Sequence, residues 1–382
     1  MDFELSEEHR MLKDLCREFA AKEIAPFADQ WYDAGYFPVE AFRKMAGLNL
    51  MGLLVPEEYG GSGAGTMALV TVIEEIGKVD QSTATTLQAH LTIGSLPFLD
   101  FGTHEQKQKW LTPLASGKHL GAFGLTEPQA GSDAANIQTT ARRDGDHWVI
   151  DGTKCFISNA GTEMSYGLVV LTTTGKTPEG KKRYSAFIVP HGTPGYTIGK
   201  PYRKIGWHMV DTREQVFEGA RVPRENLLGQ EGAGFRAFLK TLECGRISVA
   251  ALGVSLAQAC LDMSLRHALE RKTFGRPLAA HQAIQFKLSD MATQVEMARL
   301  LVYQAAWLRD QGRPYAKEAA MAKLASSEIA VRAAEEAVQI HGGYGYIREY
   351  PVSRFYLDSK ILTIGEGTSE VQRMVIARQL GC

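Results

Sequence analysis

The most constraining feature of this sequence is a double change of hydrophobic period, from helical spacing to short β-type runs and back to helical spacing. From Glu7 to Ile24, apolar Met11, Leu12, Leu15, Phe19 and Ile24 recur at helical intervals between charged positions, and Pro26 follows. That pattern predicts an amphipathic helix with one buried face. Further helices are expected over Val39 to Leu48, Ala68 to Val79 and Glu105 to Ala115. Between about Gly121 and Phe217 the text changes to β-branched and aromatic runs at His147 to Ile150, Leu168 to Thr173 and Tyr184 to Val189. Asp-Gly, Pro-Glu-Gly and Pro-Gly turns separate them, which predicts a β domain. After Gly234 long helical segments return at Ala237 to Ala268, Ala280 to Asp310, Ala316 to Ile340 and Val371 to Leu380. Their small residues suit a close-packed bundle. An α, β, α order without alternating βαβ units argues against a doubly wound nucleotide fold.

Charge narrows the partners. The 382 residues carry 42 Lys+Arg against 43 Asp+Glu, a formal net charge of −1, with no basic tract to mark a nucleic-acid or anionic-membrane surface. The five cysteines, Cys16, Cys155, Cys244, Cys260 and Cys382, include no C-x-x-C pair, so neither a disulfide framework nor a zinc site is expected. The acidic start MDFELSEEHR lacks the layout of a signal or transit peptide. A cytoplasmic protein is expected, or one of the mitochondrial matrix if the chain is a processed form. The weakly polar stretch Ile247 to Leu261 contains Ser248, Ser255 and Gln258 and falls short of the roughly 20 apolar residues a membrane helix needs. It reads as a buried helix, with no membrane span expected.

Several glycine-rich stretches could bind ligands. Gly63-Ala-Gly65-Thr-Met-Ala68 formally matches a dinucleotide fingerprint, but Pro56 to Ser62 separates it from the apolar run Met51 to Val55, so it reads as a surface loop. No phosphate-loop or H-E-x-x-H motif occurs, and no metal site is expected. Gly124 to Asp133 gathers a threonine, a serine, two carboxylates and two glycines, a set able to bind a polar heterocycle or simply to form a capped turn. Gly152 to Asn159 brings Phe156 beside Ser158, an aromatic that could cover a flavin ring or pack in a core. Ile364 to Glu370 sets Glu366 between two glycines ahead of the last helix, where Thr368 or Ser369 could cap. That glutamate is either an uncrowded base or a solvated turn residue. His341 to Gly345 reads locally as a glycine helix stop.

Together these stretches form a resemblance. GLTEPQAGSD (Gly124 to Asp133), GTKCFISNA (Gly152 to Ala160), RKTFGRPLAAHQ (Arg271 to Gln282), AVQIHGGYGY (Ala337 to Tyr346) and IGEGTSEVQR (Ile364 to Arg373) resemble, in order and spacing, the successive signatures of the acyl-CoA dehydrogenases. The resemblance covers essentially the whole chain. It implies an N-terminal α-helical domain (1–118), a middle β-barrel or sandwich domain (119–228) and a C-terminal four-helix bundle (229–382), in agreement with the period reading. It also implies FAD extended between the β domain and the C-terminal helices.

Residue by residue, the resemblance implies that Phe123, Leu125, Thr126, Gly131 and Ser132 line the flavin edge, Ser132 also lying near substrate. Phe156, Ile157 and Ser158 would cover the opposite face; many relatives have Trp and Thr in place of Phe156 and Ser158. Arg271, Thr273, Phe274 and Gln282, with Gln339, Gly342 and Gly343, would hold the FAD of a neighbouring subunit, and Thr368 and Glu370 would approach the flavin of their own. A guanidinium such as that of Arg271 suits a pyrophosphate. Sites shared across an interface imply an oligomer, in this family usually a homotetramer.

Glu366 falls on the family's catalytic base. The implied reaction removes the α-proton of an acyl-CoA thioester while flavin N5 accepts the β-hydride, giving a trans-2-enoyl-CoA, with electrons passed to electron-transfer flavoprotein. One subgroup carries its base at the position of Gly245, which has no side chain, so the role goes to Glu366. Arg246 matches a CoA-contacting position, Glu243 either matches another or is a solvated helix-end charge, and by the same resemblance Gly365 and Gly367 would flank the reacting end of the substrate. No arginine lies in Gln81 to His90, which disfavours a dicarboxylic substrate. Gly365 replaces a tyrosine common in straight-chain members, leading to the expectation of a short, branched or cyclic acyl chain. The alternatives are an acyl-CoA oxidase using O₂ and a non-catalytic relative acting as a binding or assembly protein.

Overall fold

In the computed structural model, residues 4–382 are described; the first three residues of the expected N-terminal domain lie outside them. Helix α1 (Glu7–Phe19) begins where Ser6 accepts the backbone N–H of His9, and it continues through a wider π-turn at Ala20–Ile24. Then follow α2 (Ala28–Ala34), α3 (Val39–Gly47), α4 (Gly65–Gly77), α5 (Gln81–Ala89), α6 (Leu96–Phe101), α7 (His104–Gln106) and α8 (Thr112–Ala115). Helix α5 is absent from the period reading. All its residues, polar ones included, are buried, so it has no solvent face to write a period into the sequence.

The strands are β1 (Phe123–Gly124), β2 (Thr140–Asp144), β3 (His147–Ser158), β4 (Gly167–Lys176), β5 (Lys182–Pro190), β6 (Tyr196–Pro201), β7 (Thr212–Pro223) and β8 (Leu227–Leu228). They form one sheet in the order β6-β7-β3-β2-β4-β5-β8, with β1 parallel to β4. β3 runs well past the predicted Ile150 because irregularities near Gly152 and between Lys154 and Ile157 break its alternation. Strand alternation divides the core. Val169, Leu171, Ala186 and Ile188 pack with Trp110, Leu114 and Phe238, whereas Leu168, Val170, Phe187 and Val189 pack with Trp148, Ile150 and Phe217 from β3 and β7. The sheet thus folds over itself as a sandwich, its end strands β6 and β8 remaining unpaired with each other.

The chain then enters α9 (Gly234–Glu270), the short hairpin β9 (Lys272–Thr273) and β10 (Arg276–Pro277), then α10 (Gln282–Asp310), α11 (Ala316–His341), α12 (Pro351–Ser359) and α13 (Ser369–Leu380). α9 packs on α10, α11 and the N-terminal α4, and α13 lies on α11. A Cβ at Gly253 would stand 2.8 Å from the Ser326 backbone, so glycine permits the α9–α11 approach. Among the described residues, α9 is the one helix long and apolar enough to cross a bilayer, and 89% of its most apolar window is buried within the protein. It is the core helix expected from Ile247 to Leu261, extended at both ends.

A polar clamp fixes α5. Asp80 accepts the Thr83 backbone N–H at 2.6 Å as its N-cap and pairs with Arg354 of α12 at 2.6 Å. Asp358, on the same helix, accepts from Tyr32 of α2 and from the Trp207 backbone N–H between β6 and β7, at 2.8 and 2.6 Å. These bonds join helices of both ends of the chain to the β domain, and they set α5 in place beneath the turn that carries Glu366.

Candidate active site

Glu366 occupies a tight turn before α13. Its φ of 52° is left-handed, which costs a non-glycine residue about 1 kcal/mol or more, and it leads into Gly367 at 98°. The surroundings hold the turn in that form. The Gly367 carbonyl accepts from Lys323 Nζ of α11 at 2.6 Å and from Gln372 Nε2 at 2.9 Å, and Thr368 caps α13 by accepting the Val371 N–H.

The Glu366 carboxylate points inward. Oε1 accepts from Gln88 Nε2 of α5 at 3.2 Å, while Oε2 is buried with no hydrogen-bond partner. On its other side is α9, where a Cβ on Gly245 would meet Oε2 at 2.0 Å. A side chain at 245 and the Glu366 carboxylate therefore compete for one space, which explains physically why glycine accompanies this glutamate. Arg246 is 7% exposed and its Nε has no partner among the described residues, leaving a buried donor beside Glu366. Burial pushes Glu366 up to about 7, against the opposing pull of Gln88, Lys323 and Arg246. Burial likewise pushes Lys323 down to about 8. A carboxylate poised near neutrality, with one bare oxygen in a desolvated pocket, has the properties of a general base.

A second group forms beside the β domain. The Cys155 backbone N–H donates to the Thr126 carbonyl at 2.9 Å, joining the loop after β1 to the bend of β3. Phe156 takes φ 59° there and is 65% exposed, its ring 5.2 Å from Tyr202, while Ile157 is buried. The Phe156 ring is thus presented outward, and the core alternative does not hold. Phe123 is buried and stacks on Phe238 at 4.0 Å. Gly131 and Ser132 are exposed. Of the two carboxylates in this loop, Glu127 points inward and accepts from Lys154 Nζ at 2.7 Å and from the backbone N–H groups of Gln138 and Thr139. Burial works to raise the Glu127 carboxyl, but Lys154 and these donors outweigh it and hold it below the ordinary range. Glu127 shapes the loop and is not offered to a ligand. Asn159 donates to the Thr86 carbonyl at 3.1 Å, which docks the end of β3 on α5 and so near the base.

The third group is a cleft of about 540 Å³ lined by Arg271, Thr273, His341, Gly342, Gly343 and Tyr344, among others. A Cβ on Gly342 or Gly343 would meet nothing within 4 Å, so open space lies over this backbone. Phe274, at φ 49° and 96% exposed, and exposed Gln282 and Gln339 do not line it. Thr368 and exposed Glu370 stay with the Glu366 turn, Gly365 retains room for a side chain, and half-buried Glu243 neighbours Arg246 on α9. Among the described residues no group of three or more His, Cys, Asp or Glu could hold a metal ion. Two site residues escape sequence reading. Lys323 had a faint signal, a lone cation on the small-residue face of α11. Gln88 had none, because nothing in the sequence relates it to a residue 278 positions later.

Sequence profiles of the acyl-CoA dehydrogenase N-terminal, middle and C-terminal domains match residues 6–118, 122–220 and 232–381. The chain is 53% identical over 382 residues to a probable acyl-CoA dehydrogenase, YngJ, of Bacillus subtilis (strain 168), covering all of both chains. It is 45% identical over 377 residues to the mitochondrial short-chain specific acyl-CoA dehydrogenase of Mus musculus, covering 99% of this chain and 91% of the other. Butyryl-CoA dehydrogenase from Megasphaera elsdenii has the same fold, with a TM-score of 0.96 at 41% identity and all of both chains covered. The chain belongs to the acyl-CoA dehydrogenase family, as an enzyme close to its short-chain specific members. A solved member of the family carries FAD.

Proposed function

We propose that the protein oxidises a short acyl-CoA to its trans-2-enoyl-CoA, with Glu366 as the base. The observation that carries this reading is the bare, buried Oε2 of Glu366, held in a pocket whose burial brings the carboxyl to about 7. A proton α to a thioester is weakly acidic, so its removal needs a desolvated carboxylate at fixed distance and donors where charge develops on the thioester oxygen. Glu366 supplies the first, and its own backbone N–H is one such donor.

The residues present fit FAD. The Arg271 guanidinium beside open glycine backbone suits a pyrophosphate, and the outward Phe156 ring suits a flat heterocycle. Phe123, Leu125, Thr126, Gly131, Ser132, Phe156, Ile157 and Ser158 would hold the flavin end, with Thr368 and Glu370 nearby. Arg271, Thr273, Phe274, Gln282, Gln339, Gly342 and Gly343 would hold the FAD of a second subunit in a homotetramer. When bound, FAD supplies the acceptor for the β-hydride. As Glu366 Oε2 takes the α-proton, the Cα–H electron pair becomes the new Cα=Cβ bond.

Arg246 and Glu243 lie where the CoA portion would pass, and Gly365 leaves room beside the thioester for branching or a ring. Electron-transfer flavoprotein would take the electrons onward. Anaerobic addition of butyryl-, isobutyryl-, 2-methylbutyryl- and cyclohexanecarboxyl-CoA to the yellow holoenzyme, followed by flavin bleaching, tests this. Bleaching by a short or branched thioester is expected. A strict preference for octanoyl-CoA or longer would overturn the chain-length reading.

A further inference from the structure

Gln88 lies outside every motif, yet its side chain is the one neutral group bonded to the catalytic carboxylate. Its amide has a fixed sense. Ser248 Oγ of α9 lies 2.7 Å from Gln88 Oε1 and 2.8 Å from the Gly245 carbonyl, two acceptors for its single proton, and Thr92 Oγ1, one turn along, lies 3.4 Å from Oε1. Thr92 is itself held by the Gln88 backbone carbonyl at 2.7 Å. The ionised Glu366 carboxylate can only accept, so the NH₂ end faces it and reaches Oε1 at 3.2 Å, which leaves the amide oxygen toward the Ser248 hydroxyl. Gln88 is 2% exposed and Ser248 fully buried, so their bond is shielded from water, while the bond to Glu366 is part-buried.

We propose that Gln88, held at its amide oxygen by Ser248, is a positioning residue that ties down Oε1 of Glu366 and thereby selects Oε2 as the atom that takes the substrate proton. The inference rests on Glu366 being the base. An oxygen that accepts a hydrogen bond is the weaker base of the pair, and the buried, unpartnered Oε2 is the stronger. A donor to the ionised form also keeps the carboxylate charged at lower pH. Gln88 does this beside Lys323 from α11, Arg246 and Cys244 from α9 and Glu370 from α13, the titratable groups that face the base directly or through Lys323. Being neutral, Gln88 achieves it without an ion pair that would have to break when substrate enters.

The test is the pH profile of kcat/KM for holoenzyme carrying Gln88→Met, which keeps length and bulk but has no donor. The acid limb is expected to move up by about one pH unit, so that activity at pH 6 falls about tenfold relative to the native enzyme while the profiles approach each other above pH 9. Ser248→Ala, which frees the amide to turn over, should move the limb in the same direction by less, with KM little changed. A loss equal at every pH, or an unmoved limb in both variants, would overturn the proposal by reducing Gln88 to a packing residue. If Gln88→Met does not retain FAD, Ser248→Ala decides alone. Glu366→Gln separates the two readings: substantial turnover in that variant would remove the base assignment itself, whatever the Gln88 result.

Discussion

The Glu366 pocket and the Arg271 cleft are both built on the C-terminal helices, yet one chain completes them to different degrees. Around Glu366, α5, α9, α11 and α13 close in, and the carboxylate is oriented by Gln88, the turn by Lys323 and Gln372. Around Arg271, Phe274 is 96% exposed in a left-handed backbone, and Gln282, Gln339, Gly342 and Gly343 are exposed. A pocket of the first kind holds its carboxylate in place with groups of the one chain. A surface of the second kind is open to solvent, and we propose that it is half of a cofactor site shared with a second subunit. The contrast teaches that base and cofactor retention should fail independently.

The largest effect is expected at the base. Glu366→Gln should keep FAD and oligomeric mass but lower kcat by about a thousandfold or more, measured by single-turnover flavin bleaching. Gly245→Ala comes next, since its Cβ would meet Oε2 at 2.0 Å and displace the carboxylate. A fall in kcat of about a hundredfold is expected from such a misplacement, again with FAD retained. Arg271→Ala should act on the other region. FAD should bind about tenfold to a hundredfold more weakly, in line with a lost charge-assisted bond, and ultracentrifugation should show a smaller assembly when FAD is withdrawn. The acid limb of kcat/KM should stay where it is. If Arg271→Ala moved that limb, or Gly245→Ala shed the flavin, the two regions would be one.

The smallest effect concerns pH in the native enzyme. Burial raises Glu366 to about 7, so the base is protonated below that value and ionised above it. kcat/KM should therefore fall about tenfold per pH unit on going down from pH 6, and level off above pH 8. A limb near 4.5, the ordinary carboxylate value, would mean that the pocket is wetter than its geometry implies.

α1 and α3 were legible through an apolar stripe opposite a face that meets water, and the central parts of β4 and β5 through β-branched and aromatic runs between turn residues, although both their faces are buried. α10, α11 and α13 were legible to within about two residues, where end fraying sets the limit. α5 was not legible, because its buried positions are largely Thr, Ser and Gln and so show no apolar pattern, whereas buried but apolar α4 was read. The site divides as well. Glu366 and Phe156 could be picked out in local glycine-containing motifs, whereas Arg271 and Gly245 were picked out only through the resemblance to the acyl-CoA dehydrogenases.

The sequence by itself determined the three-part architecture and marked Glu366 as the proposed base and the segments proposed to face the cofactor, because these depend on local periodicity and on short motifs. The tertiary structure alone decided which oxygen of Glu366 is bare, that Gly245 and Glu366 exclude each other, and that Gln88 and Lys323 hold the base and its turn. Those facts come from contacts between residues up to 278 positions apart. Such contacts leave no period in the chain, because what fixes them is the packing of α5, α9, α11 and α13 around one buried carboxylate.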